Sequence, residues 1–81
     1  MNEIIEKLEQ YISKEILKKS GRKIDPNEAL ISSGLVDSFH LVDLSIFIED
    51  EFGVLINDSE LNAETFDSIQ QLAGIIQSRR S

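Results

Sequence analysis

The stretch of sequence that decides the fold is SFHLVDLSIFIEDEF, residues 38–52, which follows a turn at Gly34-Leu35. Its apolar residues recur at intervals of three and four, and this period predicts an amphipathic helix that ends at Gly53. One arc of the helix collects the residues expected to face a core: Leu41, Leu44, Ser45, Ile48 and Phe52. Ser38 comes first in the helix, so we expect its hydroxyl at or beside an exposed helix start.

A second apolar set on the same helix falls outside the core arc. Phe39, Val42 and Ile46 lie between a quarter and half a turn away from it, beside Asp43 and Asp50. A helix that needs only a core stripe has no use for this second set. We expect Phe39 and Ile46 to form an exposed docking patch, while Val42 is also compatible with a half-buried position against a loop.

Three further helical segments are predicted on either side, and no strand. The first runs from about Asn2 to Lys19, and a short one lies near residues 60–62. The last runs from about Ser68 to Ser78, with Asp67 or Thr65 as its cap and residues 78–81 as a frayed tail. The apolar connection 21–36 is expected to be pinned onto the core, and residues 54–56 to form a buried loop.

The fold class that follows is all-α: a small four-helix bundle with three longer helices, one short helix, and a long loop between helices 1 and 2. The predicted core consists of Leu8, Ile12, Leu35, Leu41, Ile48, Phe52, Ile56, Leu61, Phe66, Ile69 and Leu72.

Length and charge narrow the function classes. The chain has 81 residues, and this length predicts a single domain over residues 1–81. It has no cysteine, which excludes a thiol nucleophile. Its formal net charge is −7. All eight basic residues lie at or before Lys23 or at Arg79 and Arg80, whereas eleven carboxylates occupy the segment between. Such a surface repels nucleic acid and attracts basic protein patches.

Localisation can be anticipated from what the sequence does not contain. No segment is apolar for long enough to span a membrane, and the first nine residues lack the apolar run of a signal peptide. We therefore expect a soluble cytoplasmic protein, with a monomer as the default state of so small a chain.

Catalytic and metal-binding interpretations are weaker. A Ser-His-Asp hydrolase is rejected because Ser38 and His40 are two apart on a helix and do not face each other. A calcium loop at residues 57–62 is rejected because it lacks the glycine and the alternating oxygen ligands of an EF-hand. A chain this small has little room for both a core and a deep substrate cavity, so we do not expect an enzyme. No cluster of histidines indicates zinc, and the carboxylates are compatible with weak surface cation binding only.

The segment Gly34-Leu35-Val36-Asp37-Ser38-Phe39, with Glu49-Asp50-Glu51-Phe52-Gly53 downstream, resembles the acyl carrier and peptidyl carrier protein family. The resemblance covers most of the chain, from the first helix to Ile76. Asp-Ser-Phe departs from the Asp-Ser-Leu usual in primary fatty-acid carriers and is commoner in discrete, stand-alone carriers. The pathway stays open between fatty acid, polyketide, nonribosomal peptide and D-alanylation chemistry.

The resemblance implies a role for each matching position. Ser38 would receive 4'-phosphopantetheine from coenzyme A through a phosphopantetheinyl transferase, and Asp37 would contact the transferase or its metal ion. The positions implied to dock partner enzymes are Phe39, Val42, Asp43, Ile46 and Asp50. The chain would then carry an acyl or aminoacyl group as a thioester and present it to ligases or synthases with basic docking patches.

A competing function uses the same surface without a prosthetic group. An acidic helical adaptor would share the bundle, the charge and the apolar patch. It would have no use for an exposed Ser38, and this residue therefore distinguishes the two hypotheses.

Overall fold

A computed structural model describes residues 2–16 and 24–80 of the chain. Helix α1 spans Asn2–Tyr11 and continues into a π-helical turn over Ile12–Ile16. Helix α2 spans Ser38–Phe52, a 3-10 turn spans Asp58–Glu60, and helix α3 spans Ile69–Arg79.

The all-α prediction is confirmed, since no strand occurs over residues 2–16 and 24–80. The predicted bounds of α2 are also confirmed. The fourth helix is not confirmed: a single 3-10 turn lies at Asp58–Glu60, where a helix was expected near residues 60–62, so the described residues form three helices and one 3-10 turn in place of a four-helix bundle. The predicted end of the first helix, residues 17–19, lies outside the described residues.

Helix α3 extends one residue beyond its predicted end, so the expected frayed tail does not include Arg79. The Arg79 guanidinium donates to the Leu55 carbonyl at 3.2 Å and forms an ion pair with Glu60. These bonds tie the last turn of α3 to the segment between α2 and α3.

The core contains most of the residues predicted for it. Nine are buried as expected: Leu8, Ile12, Leu41, Ile48, Phe52, Ile56, Phe66, Ile69 and Leu72. Leu35 and Leu61 are wrong as core positions, because each is only partly buried and packs at the edge of the cluster. Val36, next to Leu35, is buried instead, since the turn at Gly34 directs that neighbour inward.

Helix α1 packs against α3 and also contacts α2. Its Lys7 ammonium lies 2.7 Å from a Glu51 carboxylate oxygen, and the Tyr11 ring stacks on the Phe47 ring with centroids 4.2 Å apart. Both of these contacts are made by residues in the C-terminal half of α2.

Residues 24–36, the described part of the connection before α2, are pinned onto the core as predicted, whereas residues 21–23 lie outside the described residues. Leu30 is fully buried, and its amide donates to the Asp67 carbonyl at 2.7 Å. The Gln70 amide donates to the Pro26 carbonyl at 2.9 Å, which joins the same connection to the first turn of α3.

The segment between α2 and the 3-10 turn is only partly a buried loop. Val54 and Ile56 are buried, but Leu55 is 63% exposed. Extended backbone points successive side chains in opposite directions, so a three-residue apolar run cannot bury all of its members against one core.

Candidate functional site

The beginning of α2 is capped by Asp37. Its backbone is extended, with φ −89° and ψ 178°, and its Oδ1 accepts a hydrogen bond of 2.9 Å from the His40 amide. Its carbonyl accepts the first intrahelical bond, from the Leu41 amide at 3.0 Å. Because Asp37 performs the capping, Ser38 becomes the first helical residue and is not needed to satisfy a backbone donor.

The Ser38 side chain is exposed, and its hydroxyl has no hydrogen-bond partner among the residues that the structure describes. Four other serine side chains are engaged: Ser32 with Asp67, Ser33 with Ala29, Ser45 with Val42, and Ser68 with the Gln71 amide. The hydroxyl at the start of α2 is therefore accessible to another molecule without breaking an internal bond.

An anion bonded to this hydroxyl would meet a favourable environment. The Ser38 and Phe39 amides begin a 15-residue helix and precede the first intrahelical donor. Such amides, with the helix dipole, stabilise negative charge by roughly 0.3–1 kcal/mol at an exposed site. The start of α2 is thus compatible with a phosphodiester, which carries a single negative charge.

His40 lies against the cap and does not contact the serine. Its Nδ1 is 2.9 Å from Asp37 Oδ1, and 36% of its side chain is exposed. No hydrogen bond joins His40 to Ser38 within the described part of the chain, so the pair lacks the contact that activates a serine nucleophile. The His40 ring is thus partly exposed to solvent and partly in contact with Asp37.

The backbone before Asp37 is held by a closed turn. The Val36 amide donates to the Leu30 carbonyl at 3.0 Å, and the Gly34 amide to the Ile31 carbonyl at 3.1 Å. Gly34 has φ +79°, a conformation that glycine adopts at no steric cost. Together with the burial of Val36, this turn determines the direction from which the chain enters α2.

An apolar patch on α2 lies beside Ser38. Phe39 is 83% exposed, Ile46 54% and Val42 47%, so all three are outside the buried core, and Val42 is the most covered of them. Asp43 and Asp50 are exposed as well. The described residues thus present an apolar strip with acidic neighbours, a combination suited to partners with basic rims.

Sequence reasoning missed a groove on another side of the molecule. It has a volume of about 290 Å³ and is lined by Lys7, Gln10, Tyr11, Lys14, Glu15, Phe47 and Glu51. Phe47 is roughly half a turn from Ser38 around α2, so the groove and the serine face different directions. The aromatic pair in two amphipathic helices was a usable signal, but a sequence does not say which helices meet.

Two structural absences are relevant to the function. No group of three or more His, Cys, Asp or Glu side chains that could hold a metal ion occurs within residues 2–16 and 24–80. Over the same ranges no helix is both long and apolar enough to cross a membrane.

A small helical domain with an accessible serine hydroxyl beside an acidic, partly apolar surface belongs to the class of domains that other proteins modify and bind. Comparison with protein families identifies the family: residues 3–76 match the phosphopantetheine attachment site family. The chain belongs to this family, and the resemblance to acyl and peptidyl carrier proteins is confirmed. A comparison with curated proteins found no match.

Family membership establishes the cofactor and the general activity. Proteins of this family carry covalently attached 4'-phosphopantetheine, so the chain is a phosphopantetheine-carrying carrier protein. Carrier domains of this kind are non-catalytic, are modified by phosphopantetheinyl transferase, and interact with biosynthetic enzymes.

Proposed function

We propose that Ser38 is the residue that receives 4'-phosphopantetheine. The observation that carries this proposal is the position of its hydroxyl, which is exposed, hydrogen-bonded to no described residue and located at the first residue of α2. Once attached, the group supplies a thiol that holds cargo as a thioester. No basic side chain among the described residues is hydrogen-bonded to Ser38, so the transferase is proposed to remove the hydroxyl proton.

Asp37 has two tasks in this proposal. Its Oδ1 caps α2 and accepts from His40, which holds the neighbouring serine at the helix start. Its side chain is 56% exposed, and no described residue binds Oδ2. That oxygen is therefore accessible to the transferase or to a metal ion bound in the transferase complex.

The surface beside Ser38 is proposed as the docking site for partner enzymes. Phe39, Val42 and Ile46 supply apolar contact, and the exposed carboxylates Asp43 and Asp50 attract a basic rim. Opposite charges on two surfaces accelerate their encounter, and salt weakens this effect. An adaptor without a prosthetic group would use the same surface, but membership of the attachment-site family favours the carrier.

The cargo is proposed to be an acyl or aminoacyl group delivered by a separate ligase or synthase, with the chain acting as a stand-alone cytoplasmic monomer. The Asp-Ser-Phe stretch at residues 37–39 supports a discrete carrier over a primary fatty-acid carrier.

The attachment proposal is tested by intact mass after incubation with a broad-specificity phosphopantetheinyl transferase, magnesium and coenzyme A. We expect one added phosphopantetheine group, and none in Ser38→Ala. The controls are Ser59→Ala and Ser78→Ala, because these two serines are also exposed and have no described side-chain bond. Modification of Ser38→Ala, or an unchanged mass of the folded wild type, refutes the proposal.

The docking proposal is tested by charge reversal. We expect Asp43→Lys with Asp50→Lys to slow modification at least about tenfold at low salt, and to converge on the wild-type rate at high salt. The matched control is Asp58→Lys with Glu64→Lys, which makes the same change of net charge at exposed positions away from α2. Equal slowing by both pairs would mean that only net charge matters.

A further inference from the structure

Asp67 binds the loop that precedes Ser38, although it is far from that serine in sequence. Its Oδ1 accepts the Ile31 amide at 2.7 Å and the Ser32 amide at 2.9 Å, and its other carboxylate oxygen accepts the Ser32 hydroxyl. Its carbonyl accepts the Leu30 amide at 2.7 Å. Four bonds therefore join one residue before α3 to three consecutive residues of the loop.

Asp67 is itself held firmly. Its neighbours Phe66 and Ser68 are 1% and 7% exposed, and its amide donates to Gln71 Oε1 at 2.7 Å. The Ser32 hydroxyl, followed by the Ser32 amide, keeps the pKa of the Asp67 carboxyl below its usual value, so the ionised acceptor is the preferred form. The carboxylate thus holds residues 31 and 32 of the loop in one position relative to α3.

The loop transmits this order to the start of α2. The Leu30 carbonyl that follows the bonded amide accepts from the Val36 amide at 3.0 Å, and Val36 is buried. Asp37, the cap of α2, comes directly after Val36. A displacement of residues 30–32 would therefore move the cap and with it the hydroxyl of Ser38.

We infer that Asp67 is a positioning residue for the modification of Ser38, acting through the loop of residues 30–36. The inference rests on the proposed attachment at Ser38. Without the carboxylate, the loop samples other conformations and only a fraction of molecules presents the serine correctly. A partly populated competent state weakens apparent binding in proportion to that fraction, so KM for the transferase rises while kcat is retained.

The test compares transferase kinetics of Asp67→Ala, Asp67→Asn and Ser32→Ala. We expect Asp67→Ala to raise KM by roughly tenfold, and Ser32→Ala to raise it less because both amide bonds remain. Asp67→Asn should restore most of the loss, since its side-chain carbonyl can accept the Ile31 and Ser32 amides. Hydrogen exchange should show faster exchange at those two amides and at the His40 amide in Asp67→Ala.

Two controls separate positioning from general effects. Asp58→Ala removes the same charge from an exposed side chain with no described bond, and should leave KM unchanged. Ile76→Val removes one buried methyl group near the end of α3 that is farther from Asp67, and should lower stability with no change in KM. The inference is overturned if Asp67→Ala behaves like either control, or if exchange at His40 is unaffected. If wild type gains no phosphopantetheine at Ser38, the attachment proposal fails, whereas the exchange measurement still reports whether Asp67 orders the loop.

Discussion

The dipeptide Asp-Ser occurs three times, and the copies at residues 37–38, where α2 begins, and 67–68, directly before α3, divide their tasks in opposite ways. In the first, the aspartate caps the helix and the serine is exposed without a described partner. In the second, the serine caps the helix, is 7% exposed, and accepts the Gln71 amide at 3.2 Å, while the aspartate binds the distant loop.

The difference teaches that a local pattern identifies a helix start but does not assign its roles. Asp67 or Thr65 was predicted to cap α3, and this is wrong because the Asp67 carboxylate is occupied by Ile31 and Ser32. Thr65 instead donates to the Asn62 side chain. Burial explains the exchange: before α3 the serine lies against the core, whereas before α2 the chain leaves the core at Val36.

The largest expected effect is a loss of unfolding free energy, and it should distinguish a buried residue of α3 from an exposed residue of α2. Leu72→Ala should cost about 2–5 kcal/mol of unfolding free energy because it leaves a cavity in the core. Phe39→Ala should cost less than about 0.5 kcal/mol, because the ring is 83% exposed, but should raise KM for the transferase. Urea denaturation and modification kinetics measure both. A large stability loss in Phe39→Ala would show that the apolar patch belongs to the fold.

The two caps provide the next comparison. Asp37→Ala and Ser68→Ala should each cost about 1 kcal/mol, since each leaves a helix amide without its acceptor. Ser38→Ala should change the unfolding free energy by less than about 0.5 kcal/mol, because no described bond is lost. Thermal and urea unfolding of the three variants decide the matter. If Ser38→Ala proved as costly as the other two, the serine would be a structural residue.

Two glycines allow the same contrast at the level of the backbone. Gly53 ends α2 with φ +69°, and an added Cβ meets nothing within 4 Å, so Gly53→Ala should cost about 1 kcal/mol through backbone strain alone. Gly74 lies inside α3 with equally open space, and Gly74→Ala should stabilise by about 0.5–1 kcal/mol. The unfolding free energy measured by chemical denaturation should therefore decrease in Gly53→Ala and increase in Gly74→Ala. If both substitutions changed the unfolding free energy in the same direction, the backbone conformations assigned to the two glycines would be contradicted.

The smallest expected effect concerns the C-terminal ends of two helices. Gly53 ends α2, whereas the last turn of α3 is held by an ion pair between Arg79 and Glu60. The Arg79 guanidinium, and then the Asn57 amide, lower the pKa of Glu60 from 4.5 to about 2. A carboxyl with a lowered pKa stabilises the folded state above pH 4.5, and this contribution is lost as the pH falls towards 2. The stability difference between wild type and Glu60→Gln should thus be constant above pH 4.5 and shrink below it.

A second carboxylate, Asp67, also affects how the stability of the wild type depends on pH. The pKa of Asp67 is lowered as well, so its contribution to the stability of the folded state is also lost at low pH. The pH dependence of wild-type stability alone therefore does not isolate the contribution of Glu60. A difference between wild type and Glu60→Gln that does not vary between pH 4.5 and 2 would show that the ion pair is absent in solution.

Much of α2 could be predicted from residues alone. The helical period predicted its bounds and the exposed positions of Phe39 and Ile46. Of the predicted core arc, Leu41, Leu44, Ile48 and Phe52 are buried, whereas Ser45 is only partly buried. These predictions succeed because a helix converts sequence spacing directly into direction around its axis. The exposed serine at the start of α2 follows from the same reasoning, and its role in attachment stays a prediction.

What failed depends on contacts between segments far apart in sequence. The groove at Tyr11 and Phe47, the partial exposure of Leu35, and the bonds of Asp67 to the loop all require knowing which elements meet. The amino-acid order by itself determined the helices and placed one hydroxyl at a helix start, because local periodicity and capping act within a few residues. Only the packing of α3 against the loop decided that the Asp67 carboxylate binds Ile31 and Ser32 while Ser68 caps α3, because a hydrogen-bonding side chain binds whichever donor the folded chain brings to it.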